Sequence, residues 1–340
     1  MKKIVSLILA VLMLACVLTG CANNDPAPAE TPAASEEQTT IRVGAMTGPT
    51  AMGMVKLMDE SDKGESAKGE SANKYEFSLQ TEATAFAPAL TKGEIDIAAV
   101  PANLASVIYN NTNGGIKVLA VNATGVLYIV ERGDSISSFA DLAGKKLYAT
   151  GEGATPEFAL RYLLKANGLD GDNAPTIQWC ADTTEALSYI SKDENAVAML
   201  PQPFVTAAQT KVEGLKVALN LNEEWQKAND GASMATGVIV VRTEFAEKYP
   251  QQLEKFMQEY AASVKFVNEN TEQAAELIGN YEIVKAPIAL KALPYCNICC
   301  LTGDELKDCL GGYLSALYEM NPQSVGGKLP DDGLYYAAEK

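Results

Sequence analysis

Histidine is absent from this 340-residue chain, and arginine is scarce, with Arg42, Arg132, Arg161 and Arg242 the complete set. The missing histidine removes the commonest general base and the commonest side-chain metal ligand, which excludes Ser-His-Asp and Cys-His enzymes and histidine zinc sites. Basic residues are also outnumbered, 27 against 43 acidic residues, for a formal net charge of −16. This excess would repel nucleic-acid phosphates, so we expect no nucleic-acid partner.

A long membrane-spanning run is lacking as well, although the chain opens with a short apolar one. Lys2 and Lys3 precede "IVSLILAVLMLACVL", and "LTGC" ends at Cys21. The layout is typical of a secretion signal, and "LTGC" resembles the bacterial lipobox, in which the cysteine becomes lipidated. We predict a signal peptide over residues 1–20 and lipidation at Cys21. The alternative is an ordinary signal peptide with a chance cysteine.

The stretch after Cys21, "ANNDPAPAETPAASEEQTT", is rich in Pro, Ala, Ser and Glu and has no apolar period. Such a composition cannot bury enough surface to order itself, so residues 21–40 are predicted to be a lipidated, disordered tether. The expected location is therefore outside the cytoplasm, at the outer face of the cell membrane or facing a periplasm.

Cysteines cluster in "CNICC", where Cys296 and Cys299 form a C-x-x-C pair. Cys300 follows directly, and Cys309 lies nine residues further on. This spacing could serve redox chemistry or hold a metal, but a metal site would need a second pair. We therefore predict no metal and no cofactor. Disulfide bonds within the cluster and free buried thiols both stay open.

The body of the chain alternates apolar strands with helical periods, which is typical of an α/β fold with parallel strands. Two parts share a plan: "RVGAM-TGPTAMG" and "KLYAT-GEGATPEF" each run from a strand through a glycine turn into a helix. Each is followed by a buried strand that ends in proline, "IDIAAVPANLA" and "AVAMLPQPFVT". We predict two similar lobes whose strand ends face a cleft, since ligands bind at that edge of open α/β sheets.

Several segments, including "GEIDIAAVPANLASVIYN", "YATGEGATPEFALRYLL", "AVAMLPQPFVTAA" and "NPQSVGGKLPDD", resemble the solute-binding lipoproteins of ABC importers. The similarity is to the nitrate, sulfonate, taurine and thiamine-precursor type. The resemblance implies a two-lobed, type II periplasmic-binding-protein-like fold, each lobe a mixed sheet flanked by helices. It places lobe 1 at 41–124 plus 238–325, lobe 2 at 126–236 and a surface tail at 326–340. The two strands that cross between the lobes would lie near Ala123–Leu127 (first crossing) and Thr236–Val238 (second crossing).

The loop "TGPTAMGM" has the glycine spacing of a phosphate-binding loop, at Gly48 and Gly53. A nucleotide loop needs Lys and Ser/Thr directly after the second glycine, and here Met54 and Val55 follow. We therefore interpret the loop as one side of a ligand cleft, offering backbone N–H groups and threonine hydroxyls.

The candidate ligand-binding residues come from both lobes and from the crossings between them. We predict that they are Thr47, Gly48, Thr50, Ala51, Met52, Pro101, Asn103 and Asn122 from lobe 1 and the first crossing, and Gly151, Glu152, Gly153, Ala154, Thr155 and Gln202 from lobe 2.

These observations predict a monomeric binding protein rather than an enzyme. It would capture a small polar or nitrogen-bearing solute by lobe closure and deliver it to an ABC permease and its ATPase. An alkanesulfonate or nitrate ligand is the alternative within the same importer class. A cofactor-pathway enzyme on the same fold is the alternative outside it, with Glu152 or Asp96 as its acid or base.

Overall fold

The computed structural model describes residues 39–65 and 73–337. The predicted signal peptide, the lipidation site Cys21 and most of the predicted tether lie outside these residues. Within them, no helix is long and apolar enough to cross a membrane.

Eleven strands in the described ranges form two separate sheets. They are β1 (Thr40–Met46), β2 (Lys74–Gln80), β3 (Ile97–Pro101), β4 (Ile116–Ala123), β5 (Leu127–Glu131), β6 (Lys146–Thr150), β7 (Thr176–Cys180), β8 (Val197–Pro201), β9 (Lys216–Asn220), β10 (Gly237–Arg242) and β11 (Ile298–Leu301). One sheet has the order β11-β4-β10-β3-β1-β2 and the other the order β7-β6-β8-β5-β9. We name the first sheet with its helices lobe 1 and the second with its helices lobe 2.

Helices cover both faces of both sheets. They are α1 (Pro49–Met52), α2 (Val55–Asp62), α3 (Phe86–Thr91), α4 (Ala102–Thr112), α5 (Thr155–Ala166), α6 (Thr183–Lys192), α7 (Phe204–Gln209), α8 (Leu221–Ala228), α9 (Thr243–Lys248), α10 (Pro250–Glu269), α11 (Thr271–Asn280), α12 (Ala286–Ala292) and α13 (Gly303–Met320). Short 3-10 helices lie at Ala83–Ala85, Phe139–Leu142, Leu293–Tyr295, Pro322–Val325 and Asp332–Leu334.

The two sheets repeat one topology, as the sequence parallel predicts. In lobe 1, β1 pairs in parallel with β2 and β3, and β3 pairs antiparallel with β10. In lobe 2, β6 pairs in parallel with β7 and β8, and β8 pairs antiparallel with β5. The prediction of an α/β fold built from two mixed sheets flanked by helices is confirmed.

Strand direction brings two sheet edges together. The chain leaves lobe 1 after β4 and enters lobe 2 with β5, and it returns to lobe 1 with β10. Because β10 is antiparallel to both β3 and β4, β10 starts and β4 ends at the edge where β1, β2 and β3 end. In lobe 2, β5 likewise starts where β6, β7, β8 and β9 end. Both crossings therefore join the carboxyl-terminal edges of the parallel strands.

Alternation along the strands separates three apolar clusters. One cluster holds Ile41, Val43 and the apolar face of α10, all within lobe 1. Another holds Tyr128, Val130 and the inner faces of α6 and α7, all within lobe 2. The largest contains residues of both lobes, because α13 packs on α4 and β4 of lobe 1 and also on α5 of lobe 2.

The segment after β1 forms two helices, α1 and α2, separated at Gly53 and Met54. A Cβ atom on Gly53 would lie 3.1 Å from Ile298 and from the Tyr260 hydroxyl. The interruption lets the backbone approach these neighbours closely.

Candidate functional site

The two joined edges form the candidate site, and the loops after β1 and β6 are its facing parts. Gly48 has φ 113° and Gly151 has φ 88°, values that side chains disfavour. Around Gly48, nothing lies within 4 Å of the position a Cβ atom would take. A ligand could therefore approach this backbone without displacing a side chain.

Polar groups of the lobe 1 loop mostly bind the protein itself. Thr47 donates its amide to the Gln80 carbonyl at 2.9 Å, and the Thr50 hydroxyl donates to the Met46 carbonyl at 2.6 Å. The Ala51 and Met52 amides donate to the Gly48 carbonyl, and both side chains are fully buried in the lobe 1 core. As side chains, Ala51 and Met52 are therefore corrected to core residues, because this short helix turns its apolar side inward.

Two asparagines predicted to bind a ligand also donate to the backbone. Asn122 is 1% exposed and donates to the Thr50 carbonyl at 3.0 Å, which fastens α1 to the end of β4. Asn103 donates to the Ser324 carbonyl at 3.2 Å, which ties α4 to the C-terminal segment. Pro101 ends β3 and directly precedes α4. Spacing along the chain carries no signal for such distant acceptors, so sequence reasoning could not assign these bonds.

The lobe 2 loop is closed by Glu157. Its carboxylate accepts from the Gly153 amide at 2.6 Å and pairs with Arg161, four residues later on the helix, at 2.6 Å. Burial opposes ionisation of this carboxyl, but the amide and the guanidinium outweigh it and lower the pKa of Glu157.

The helix behind this loop lacks a side-chain cap. The N-cap of α5 is Ala154, whose side chain cannot accept a hydrogen bond, and Thr155 is the first helical residue. Glu152 is exposed in the turn between Gly151 and Gly153.

Gln202 lies at the end of β8, next to the first crossing. It is 3% exposed, and its backbone amide donates to the Val126 carbonyl at 2.9 Å. Its side-chain oxygen accepts from the amide and the hydroxyl of Thr206. Within the described ranges its side-chain nitrogen has no hydrogen-bond partner, so this donor remains available to a ligand.

Charge at the joined edges is negative. The loops 47–48, 81–85, 151–154, 181–182 and 202–203 contain no lysine or arginine, whereas Glu82, Glu152 and Asp182 in them are exposed. Asp182 also caps α6 by accepting from the Thr184 and Glu185 amides at 2.8 Å each. An anionic ligand would find no cationic side chain in these loops.

Asp96, named above as an acid for the enzyme alternative, lies at the opposite edge of the lobe 1 sheet. It is 2% exposed, and Arg42 and Arg242 bind its Oδ1 at 2.6 Å and 3.2 Å. The buried Asp96 carboxylate and the two arginines hold the beginnings of β1 and β3 to the end of β10. Its position rules Asp96 out as a group acting at the joined edges.

The cysteine cluster divides between the two faces of the lobe 1 sheet. Cys296 and Cys300 belong with the cluster around α10, while Cys299 and Cys309 belong with the cluster around α13. The C-x-x-C pair therefore does not form one site, because strand residues alternate between faces. All five cysteines of the described region are free thiols. Burial raises the pKa of Cys296 and Cys299 to about 12 and that of Cys300 and Cys309 to about 11.

Residues that sequence reasoning missed lie beside this cluster. Asn297 donates its side-chain amide to the Gly125 carbonyl at 2.5 Å and accepts from the Thr124 amide at 3.1 Å. It has φ 46°, a backbone conformation that asparagine tolerates better than most residues. The Tyr128 hydroxyl donates to the Tyr295 carbonyl at 2.8 Å. The sequence signal available for Asn297 was its position between Cys296 and Cys299.

Comparison with known proteins agrees with this architecture. A family model described as "NMT1/THI5 like" matches residues 114–274. The structure of an ABC transporter protein from Parabacteroides distasonis superposes with a TM-score of 0.74 at 24% identity, covering 89% of this chain and 100% of that one. The protein has the fold of an ABC-transporter binding protein. The fold that the resemblance implies is thereby confirmed.

Two further structures with this binding-protein fold carry more specific descriptions. The periplasmic aliphatic sulphonate-binding protein of Escherichia coli has a TM-score of 0.68 at 16% identity, covering 88% of this chain and 93% of that one. The alkanesulfonate-binding protein of Xanthomonas axonopodis, bound to MOPS, has a TM-score of 0.57 at 12% identity, covering 83% and 93%. No curated protein sequence matches the chain. At these identities the comparisons establish the fold.

Proposed function

We propose that the protein is the exported solute-binding component of an ABC importer, anchored to the membrane through Cys21. The observation that carries this proposal is the pair of strand edges joined by two crossings, with a glycine loop from each lobe between them. Rotation about the crossings would close the loops on a solute, and the solute would favour closure by its higher affinity for that state. A permease and its ATPase would then receive the solute.

The solute is a small polar or nitrogen-bearing organic molecule. Support comes from the loop charges, since Glu82 and Glu152 are exposed and the five loops hold no cation. A carboxylate favours ligand N–H or hydroxyl donors, whereas a sulfonate or nitrate would gain little from these side chains. Sulphonate binding belongs to two of the similar structures, and it is the second candidate for this chain.

A thermal-shift screen of the purified protein tests both ligand classes. The panel contains amines and nitrogen heterocycles beside taurine, alkanesulfonates and nitrate. A ligand at a hundred times its Kd would stabilise the protein by about 2.7 kcal/mol. We expect shifts from the nitrogen compounds and none from the anions.

Substitution at the loop refines the screen. Glu152→Gln should weaken binding of the best nitrogen compound about tenfold, the effect of losing a hydrogen bond to a charged group. Glu94→Gln, before β3 at the opposite edge, should leave affinity unchanged. Shifts from sulfonates alone would contradict the ligand class but keep the importer function. Chemical turnover of a bound compound would contradict the binding function itself.

A further inference from the structure

Besides the crossings, described residues of lobe 2 contact lobe 1 on two sides, and one of these sides includes the packing of α5 on α13. On one side, the Tyr128 hydroxyl of β5 donates to the Tyr295 carbonyl at 2.8 Å, and α7 packs against α12. On the other side, Trp225 of α8 meets Tyr313 of α13 edge-to-face, with ring centroids 5.3 Å apart.

The two contacts stand on opposite faces of the sheets. Tyr128 belongs to the cluster around α6 and α7, whereas its strand neighbours Leu127 and Ile129 share the other face with Trp225. In lobe 1, Tyr313 packs with the cluster around α13, and Leu293 and Cys296, which flank Tyr295, pack with the cluster around α10.

The first crossing runs between these contacts and is fixed to one of them. The Asn297 side chain donates to the Gly125 carbonyl, and the Thr124 amide donates to the Asn297 carbonyl. The second crossing is fixed to the first, because Thr236 donates its hydroxyl to the Thr124 carbonyl at 2.7 Å and its amide to the Ala123 carbonyl at 3.0 Å.

We propose that the segment Tyr295–Asn297 and the Trp225–Tyr313 contact form a clasp that holds lobe 2 from both faces and sets the axis of lobe rotation. Rotation about the line joining the two contacts preserves both of them. Any other rotation separates at least one, which leaves the buried Tyr128 hydroxyl without its acceptor or exposes Trp225, which is 1% exposed. The clasp therefore confines the lobes to one opening and closing motion. This inference concerns the hinge and does not depend on which solute binds.

Hydrogen exchange of the ligand-free full chain tests the clasp, with the Thr124 and Thr236 amides as reporters. Tyr128→Phe removes the donor to Tyr295, and Asn297→Gly removes the side-chain bond while allowing φ 46°. We expect each variant to accelerate exchange at the two reporter amides about fivefold, the factor that one lost hydrogen bond typically represents. Core amides such as that of Val240 should keep their rates.

Two matched variants control for the chemistry of these substitutions. Asn113→Gly changes an asparagine with φ 53° at the end of α4, and Tyr281→Phe removes a hydroxyl that binds Asp62 within lobe 1. Neither should alter exchange at Thr124 or Thr236. The proposal would be overturned if the control variants accelerated hydrogen exchange at Thr124 and Thr236 as much as the test variants do. It would also be overturned if the test variants accelerated exchange at the core amides to the same extent.

Tryptophan fluorescence gives an independent readout, since Trp179 and Trp225 are the two tryptophans of the chain. In a Trp179→Phe background, Trp225 alone emits, and acrylamide should quench it several-fold less than free tryptophan amide. Adding Tyr128→Phe and Asn297→Gly should raise quenching. Free access of acrylamide to Trp225 with the clasp intact would show that the contact is open in solution and would refute the clasp.

Discussion

Glu131 is the buried carboxylate of lobe 2, 1% exposed at the end of β5. It accepts hydrogen bonds from the Ser135 amide at 3.0 Å, the Ser135 hydroxyl at 2.8 Å and the Ile136 amide at 3.1 Å. Burial alone would raise the pKa of Glu131, but these donors together outweigh it and lower the pKa. The charge fixes the turn that follows the strand.

Replacing Glu131 should therefore reduce stability in a pH-dependent way. Glu131→Gln is expected to lower the free energy of unfolding at pH 7 by about 1–3 kcal/mol, because charge-assisted hydrogen bonds are lost. The folded pKa lies below the ordinary value of 4.5. The stabilisation is thus complete above about pH 4.5 and disappears as pH falls through the folded pKa.

Urea unfolding of the wild type and of Glu131→Gln, from neutral to acidic pH, measures the difference between their free energies of unfolding. This difference should become smaller as the solution is acidified below pH 4.5. Glu94→Gln, whose side chain is 62% exposed, serves as the surface comparison and should change stability little at any pH. A stability difference between the wild type and Glu131→Gln that stays constant from neutral to acidic solution would contradict this account.

At the scale of elements, the strand and helix pattern was largely predictable, and helix ends were less so. Asp182 caps α6 as its sequence indicates, with Glu185 accepting from the Ala181 amide. Thr302 precedes α13 without a side-chain cap bond. Local patterns report which residues favour an end, whereas the surrounding packing decides whether the side chain turns toward the backbone.

Gly125 lies in the first crossing, where the surrounding residues leave no room for a side chain. Its substitution tests how tightly this crossing is packed. A Cβ atom would lie 2.6 Å from Asn222 Cβ and 2.8 Å from the Met234 methyl group. Gly125→Ala should therefore reduce the free energy of unfolding by about 1–3 kcal/mol through overpacking. Denaturant titration provides the measurement.

Gly171→Ala is the matched substitution, since the nearest atom to its added methyl group would be 4.0 Å away. It should be neutral or slightly stabilising, because alanine restricts the unfolded chain. Equal losses in the two variants would mean that crowding at the crossing is not the cause.

At the scale of the whole molecule, one apolar cluster joins the lobes. It runs from Val118 and Val238 of lobe 1 through Tyr313 to Trp225 and Leu160 of lobe 2. Lobes that share a core lose their packing together, so we expect one cooperative unfolding transition. Scanning calorimetry should give equal calorimetric and van't Hoff enthalpies.

Two aromatic-to-alanine substitutions with similar expected losses in the free energy of unfolding distinguish coupling between the lobes from a general loss of stability. Trp225→Ala removes the aromatic group that meets Tyr313, and Phe256→Ala removes a fully buried ring inside the lobe 1 core. Each should cost about 3–5 kcal/mol. Only Trp225→Ala should split or broaden the transition, and an unchanged single transition in that variant would contradict coupling through the cluster.

The sequence by itself determined the α/β class, the repeated strand-turn-helix plan and the exclusion of histidine chemistry, because these depend on composition and on periods within one element. Tertiary structure alone decided which polar groups are free. Asn103, Asn122 and Thr50 bind carbonyl groups of their own lobe, the C-x-x-C cysteines lie on opposite faces, and Asn297 holds a crossing. A hydrogen bond needs a partner in space, and for most of these side chains the partner is distant in the sequence.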